Sequence, residues 1–426
     1  MKRQVHFAIL CVLLQTRFAV NQELDAVTSP QYQAKEYVDW QPPEPPHSGA
    51  HSFIHAHSGL LQSPNGTFWS YLPPCTPEGL KLSGNMVLSE EQRKAAAVVP
   101  EHGTAVITIT HRFNSRQQHT FHQYYSKHFG PENIYVGIHM HGTCEIGQEC
   151  DAMQAERRFH LTPTMLKMAS RGSKLVATHC GQGHSMGATQ ISVGNDLSTL
   201  LREYGYTNII FAEDDEFLVP DPVKFPGGLL EYVSKFSAEV TSDASQKPWR
   251  RAHGFNVWQA DDEQEIDRSR SVLQQRKFWR GSDPYYCKTL LTHTAGGYGS
   301  GGHSWEAKDQ ALLQNFGAEK VDSCNDKAES DLLLIHLKCV DRKQFKDQVF
   351  REHAIEHRVA NINLQSFKMD AHSKEYSKEF DEFFEPIWVK SLSECGHSTE
   401  PFREADHIYN RTLVPIPVIW VEKAGI

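Results

Sequence analysis

The sequence predicts an α/β fold built on a doubly wound, mainly parallel sheet with a mixed C-terminal part, and three features carry that expectation. From residue 104 to residue 212, short apolar runs alternate with amphipathic stretches of helical period. The last of those runs, Tyr206 to Ala212, is nearly continuous in apolar residues, the pattern of a strand covered on both faces. It then stops at four consecutive carboxylates, Glu213, Asp214, Asp215 and Glu216, at the end of the strand where open α/β sheets bind their ligands.

The elements follow in order. Thr104 to Thr110 (TAVITIT) reads as the first strand. Asn114 can cap a helix on which Phe121, Tyr124, Tyr125 and His128 recur at helical spacing, and Gly130-Pro131 ends it. Asn133 to Ile138 is the second strand, closing a βαβ unit. Thr162-Pro163 opens the next helix with a cap and a proline at its first position, and Lys174 to His179 is the strand after it. Val193, Leu197, Leu200, Leu201 and Tyr204 form a helical stripe that stops at Gly205, just before the strand that carries the acidic tip. Four strands with three helices between them imply parallel crossovers. After Pro222 the pattern loosens; His253 to Trp258 and Leu332 to Leu337 read as further strands, expected to be antiparallel. The tail is charged, with helical stretches around 341–357 and 374–385.

The flanks read differently. Residues 1–20 place Lys2 and Arg3 before the apolar stretch Phe7 to Leu14, the pattern of a signal peptide or short signal anchor, too short to span a bilayer. Residues 21–100 are rich in Pro, Ser, His and Gln and are expected to form a stem or irregular extension. The α/β body would then occupy 101–350, and 351–426 a helical or irregular C-terminal extension. The sequons at Asn65 and Asn410 fit a secretory route, in the ER or Golgi lumen or outside the cell, with weak or no membrane anchoring beyond the N-terminal signal.

At 426 residues the chain can bury a large core without staples, and its net charge of −9 lacks any basic block of the kind nucleic-acid binding requires. Nine cysteines form no dense framework; eight of them, Cys11 aside, can pair as disulfides or remain free.

The carboxylates carry the chemistry. Four negative charges so close repel one another unless a cation lies among them, and Mg²⁺ or Mn²⁺ held by one or two carboxylates together with substrate phosphates is the usual arrangement. The ordinary alternative is a solvated acidic turn. Alternation at the strand end turns Asp214 away from Asp215, and Glu216 is suited to support the loop by a hydrogen bond. The pairs His119/His122 and His139/His141, and His179-Cys180 with His184, have spacings a zinc site can use, although 24 histidines make chance clusters common. In GQGHSMG, residues 181–187, a histidine stands where a serine nucleophile would be needed.

Several of these segments together resemble glycosyltransferases of the GT-A fold, specifically the family 2-like group with a D-x-D-E-F-L signature. They are VITITHRFNS (106–115), EDDEFLVP (213–220), GFNVW (254–258), YYCKTLLTH (285–293), GSGGHS (299–304) and LLLIHLKCVDRKQF (332–345). Glu213 replaces the first aspartate of the signature, and Leu337 the tyrosine of the HY-type motif that would contain His336. The resemblance implies a nucleotide-sugar donor bound near Thr110, His111, Arg112 and Asn114. It implies a divalent ion on the diphosphate, held by Glu213, Asp215 and His336, with Asp214 nearby. Lys288 would approach phosphate; its ordinary reading is a solvated lysine. His303, in its glycine-rich loop, would line the donor-sugar or acceptor pocket. The resemblance would also make Asp215 a catalytic carboxylate, and Asp261, Asp262 and Glu306 are available as the base an inverting transfer needs.

The expected function is metal-dependent transfer of a sugar from a nucleotide donor to a hydroxyl of a glycan or glycoprotein. Two alternatives belong to other classes: a non-catalytic lumenal carbohydrate-binding protein of the same fold, and a zinc hydrolase.

Overall fold

The computed structural model describes residues 68–72, 85–111, 115–139, 163–178, 186–259, 263–267, 270–281, 287–299, 302, 304–316, 329–338, 340–341, 413–424 and 426. All of them belong to one unit formed by Pro45–Asp341 and Asp406–Ile426.

The strands are β1 (Phe68–Leu72), β2 (Asn85–Val87), β3 (Thr104–His111), β4 (Ile134–His139), β5 (Lys174–Thr178), β6 (Asn208–Phe211), β7 (Glu216–Pro220), β8 (Trp249–Trp258), β9 (Phe278–Gly281), β10 (Lys288–Thr292), β11 (Gly296–Tyr298), β12 (Trp305–Ala307), β13 (Glu329–His336) and β14 (Leu413–Pro415). The helices are α1 (Glu90–Ala96), α2 (Ser115–Phe129), α3 (Pro163–Ser170), α4 (Met186–Glu203), α5 (Leu229–Ser242), α6 (Gln310–Phe316) and α7 (Val418–Lys423).

Twelve strands form one sheet in the order β2-β1-β5-β4-β3-β6-β10-β8-β9-β14, with β13 beside β8 and β7 beside β13. From β1 through β6 the neighbours are parallel; β10 then enters antiparallel between β6 and β8. β13 runs parallel to β8 and antiparallel to β7. The fold is therefore mixed α/β, a large mostly parallel sheet with antiparallel strands, and β8 and β13, expected to be antiparallel, run parallel to each other and antiparallel to their other neighbours.

Helices cover both faces. Phe121, Tyr124 and Tyr125 of α2 pack with Met165 of α3 and Leu229 and Val233 of α5 in one apolar cluster. Val193, Leu197 and Leu201 of α4 pack with Trp249, Tyr298 and Trp305 in the other. Each of these helices buries the stripe that its periodicity marks out. α4 ends as its sequence indicates: the Tyr206 amide donates to the Leu201 carbonyl at 3.1 Å and the Gly205 amide to that of Arg202 at 2.9 Å. That pair of bonds satisfies carbonyls the last turn would otherwise leave open.

Two flanking segments contribute more than expected. Within 21–100, β1 pairs parallel with β5, β2 pairs with β1, and α1 begins in a reciprocal cap between Ser89 and Gln92. Within 351–426, β14 pairs with β9, and Trp420 of α7 lies against Trp279 with ring centroids 6.1 Å apart. Both strands sit at the sheet's periphery and are too short to show a period of their own. Residues 1–67, and with them the N-terminal signal and the histidines of the stem, lie outside the described residues, as do the helical stretches expected around 341–357, Asp341 apart, and 374–385. Among the described residues no helix is long and apolar enough to cross a membrane.

Trp69 is the clearest consequence. It is fully buried, its ring 5.1 Å from that of Tyr135 on β4. Trp69→Ala is expected to cost about 3–5 kcal/mol, the usual range for emptying a large aromatic site in a core. Urea denaturation measures it, and a loss below about 1 kcal/mol would place residues 68–72 outside the folding unit.

Candidate metal centre

The first strand of the series, β3, lies in the middle of the sheet, with β4 and β5 added on one side and β6 on the other. Connections that leave a strand in opposite directions open a crevice at its carboxyl end, and such sheets bind ligands there. Six elements bring polar side chains to that same edge. β3 ends near Thr110, β6 leads into Glu213, Asp214 and Asp215, and β7 begins at Glu216. β13 ends at His336, β8 carries Asn256 near its carboxyl end, and β10, running the other way, begins at Lys288. The register places His336 directly between Glu216 on β7 and Asn256 on β8.

The acidic turn is held by its own backbone. The Glu216 amide donates to the Glu213 carbonyl at 3.0 Å, and the Leu337 amide to that of Asp215 at 2.9 Å. The Glu216 carboxylate accepts from the Glu213 amide at 3.0 Å, the supporting hydrogen bond expected of it. From α2, the Tyr125 hydroxyl donates to the Glu216 carbonyl and accepts from the Leu218 amide, while the Tyr124 hydroxyl donates to the Leu218 carbonyl. The two tyrosines thereby fix the first residues of β7.

Glu213, Asp215 and His336 converge so that one donor atom from each lies within 4.8 Å of the others, and they are the one such group of potential metal ligands among the described residues. The His336 Nε2 is 3.3 Å from the Asp215 carboxylate, and its Nδ1 is 2.5 Å from the Asn256 side-chain oxygen. Both residues are buried. An oxygen acceptor at Nδ1 calls for the proton there, which turns the Nε2 lone pair toward a carboxylate oxygen. Two electron-rich atoms in that relation are stable when a cation lies between them or when Nε2 carries a second proton. The donor set therefore fits a divalent ion.

A protein cation is already part of the cluster. Lys288 is fully buried, and its ammonium lies 3.0 Å from the Glu213 carboxylate and in closer contact with Glu216. Its solvated reading is thus excluded by position. Burial would lower the Lys288 ammonium, yet Glu213 and Glu216 outweigh it and raise the group. Burial likewise pushes the Glu213 carboxyl up, but Lys288 and a 2.7 Å hydrogen bond from the Gln190 amide prevail and hold it down at about 2. Glu216 goes the other way, raised to about 7 by burial, with Lys288 opposing and the charges of Glu213 and Asp215 adding. Lys288 pairs with Glu213 and Glu216, while the Asp215 carboxylate lies against His336 instead.

Asp214 turns away from the three converging groups. It accepts from the Thr110 hydroxyl at the end of β3, and that hydroxyl accepts from the Gln118 amide at 2.9 Å. Thr110, Glu213, Asp214, Asp215, Lys288 and His336, each singled out in the sequence, therefore share one edge. Arg112, Asn114, Asp261, Asp262, His303 and the side chain of His111 lie outside the described residues. Gly302, next to His303, has φ +69°, and a Cβ there would sit 2.9 Å from the Leu290 side chain and 3.8 Å from the Phe211 carbonyl oxygen. Gly302 thus lies close to Leu290 and to the end of β6. Glu306 is exposed on β12, in a separate two-stranded hairpin with β11.

Three contributors escaped the sequence reading. Gln190 lies on the buried stripe of α4; Gly194, one turn further on, lets that helix press against Phe211, where a Cβ would come within 2.9 Å of the ring. Gln118 and Asn256 complete the set. In each case the available signal was a polar residue at a position the periodicity marks as buried.

Of the histidine pairs with zinc-like spacing, His122 is described as a core residue. It bonds to the Ser173 hydroxyl at 2.9 Å, and burial, aided by Arg171, His119 and Lys167, lowers it to about 4. His179, Cys180, His184, His141 and the side chain of His139 lie outside the described residues. No protein-family model matches the chain, and no curated protein matches it in sequence.

Proposed function

We propose that the protein is a metal-dependent glycosyltransferase of GT-A architecture, moving a sugar from a nucleotide-sugar donor to a hydroxyl of a glycan or glycoprotein. The observation that carries this reading is the convergence of Glu213, Asp215 and His336 at the sheet's ligand-binding edge. Glu213, Asp215 and His336 hold the ion, and an imidazole nitrogen in the set favours Mn²⁺ over Mg²⁺, which takes oxygen ligands. A cation there supplies positive charge to the diphosphate as it departs. The chain's own residues prepare the site: Lys288 and Gln190 keep Glu213 ionised and oriented, Thr110 orients Asp214, and the tyrosines of α2 anchor β7. The disulfide formed by Cys287 suits an oxidising compartment and therefore a secretory location.

One observation favours the non-catalytic alternative. Lys288 already pairs with two of the carboxylates, so part of the cluster is satisfied by the protein itself. A panel of UDP-, GDP- and CMP-sugars, screened by thermal shift with and without Mn²⁺, tests the proposal. A true donor at a hundredfold excess over its Kd adds about 2.7 kcal/mol of stability, and the stabilised donor should be hydrolysed slowly without acceptor. If no nucleotide sugar stabilises the protein in Mn²⁺, the transferase reading is wrong; stabilisation without turnover selects the binding protein.

A further inference from the structure

We propose that Asn256 is the positioning residue of the metal centre: its side-chain oxygen holds the proton of His336 on Nδ1 and so presents the Nε2 lone pair to the ion. The inference rests on the metal-site reading and adds to it a residue that makes no contact with metal or substrate of its own. Asn256 sits near the carboxyl end of β8 facing His336 across a parallel pair, and its oxygen is 2.5 Å from Nδ1. Both side chains are buried, His336 at 3 % and Asn256 at 8 % exposure, so water does not compete for the bond. A neutral imidazole offers one donor and one acceptor nitrogen, and the partner of one ring nitrogen decides the role of the other. Metal-bound histidines are commonly oriented in this way by an acceptor behind the ring. A rotated Asn256 amide is the opposite case: it would donate to Nδ1, leave the proton on Nε2 and direct that N–H at Asp215, with no lone pair for a metal.

The test is the affinity of the full-length protein for Mn²⁺ alone, read from the spectroscopic signal of free Mn²⁺ in wild type, Asn256→Ala and Asn256→Asp. Asn256→Ala should bind about 10- to 100-fold more weakly. Asn256→Asp, which can only accept at that position, should recover binding to within about threefold of wild type. A structural role would weaken both variants alike, and unchanged affinity in both would equally overturn the proposal. If wild type itself fails to bind Mn²⁺, the metal-site reading falls first and this inference with it. A second measurement needs no variant to fold: ring ¹⁵N spectra of the metal-free wild type at alkaline pH should place the His336 proton on Nδ1, and a proton on Nε2 refutes the assignment.

Discussion

Replacing Lys288 with methionine is expected to lower the stability of the protein by about 3–5 kcal/mol, the cost of removing one partner from a buried charge cluster. The ammonium is fully buried and serves Glu213 and Glu216 together, and methionine matches its length without its charge. Glu216, with no exposed surface, would be left among Glu213 and Asp215 with no positive neighbour on β10. A second substitution sharpens the expectation. Adding Glu216→Leu to Lys288→Met removes the stranded carboxyl as well, so the double variant should regain a substantial part of the loss, because a buried ion pair replaced by packed apolar groups is often close to neutral. Urea unfolding of the three proteins decides it. A single-variant loss below about 1 kcal/mol would mean that Lys288 does not hold the acidic turn together.

Asp215→Asn separates function from stability in the opposite sense. Transfer should fall by at least about a hundredfold and Mn²⁺ affinity should drop with it, since a carboxylate that helps place positive charge on the leaving diphosphate contributes several kcal/mol. The metal-free melting temperature should change little. Asparagine keeps the size of the side chain, the Asp215 carbonyl still accepts from the Leu337 amide, and one negative charge leaves a cluster that has too many. Transfer within about threefold of wild type would remove the acidic turn from the proposed chemistry. Paired with the lysine variant, the expected signatures are opposite: loss of stability for Lys288→Met and loss of transfer for Asp215→Asn.

What the sequence by itself determined was local in origin. The helical spacing of Phe121, Tyr124 and Tyr125, the stripe from Val193 to Leu201 with its stop at Gly205, and the apolar run into Glu213 each reside within fewer than 20 consecutive residues. Period and end signals suffice to read such features, because each residue's environment is set by its neighbours along the chain. The alternation of strands and helices implied parallel neighbours, and β3, β4, β5 and β6 are parallel, in the spatial order β5-β4-β3-β6 that the sequence left open.

Only the tertiary structure decided the partners. Lys288 finds Glu213 across 75 positions, and His336 finds Asn256 across 80, through strands whose pairing no local pattern specifies. β1 and β14 are too short to carry a period, and they became strands only where β5 and β9 offered an open edge. The same holds for charge. Four adjacent carboxylates suit a cation, but whether it is a metal, an ammonium or both depends on which distant strands reach the turn; there burial raises Glu216, while the Lys288 ammonium and the Gln190 amide hold Glu213 down against it.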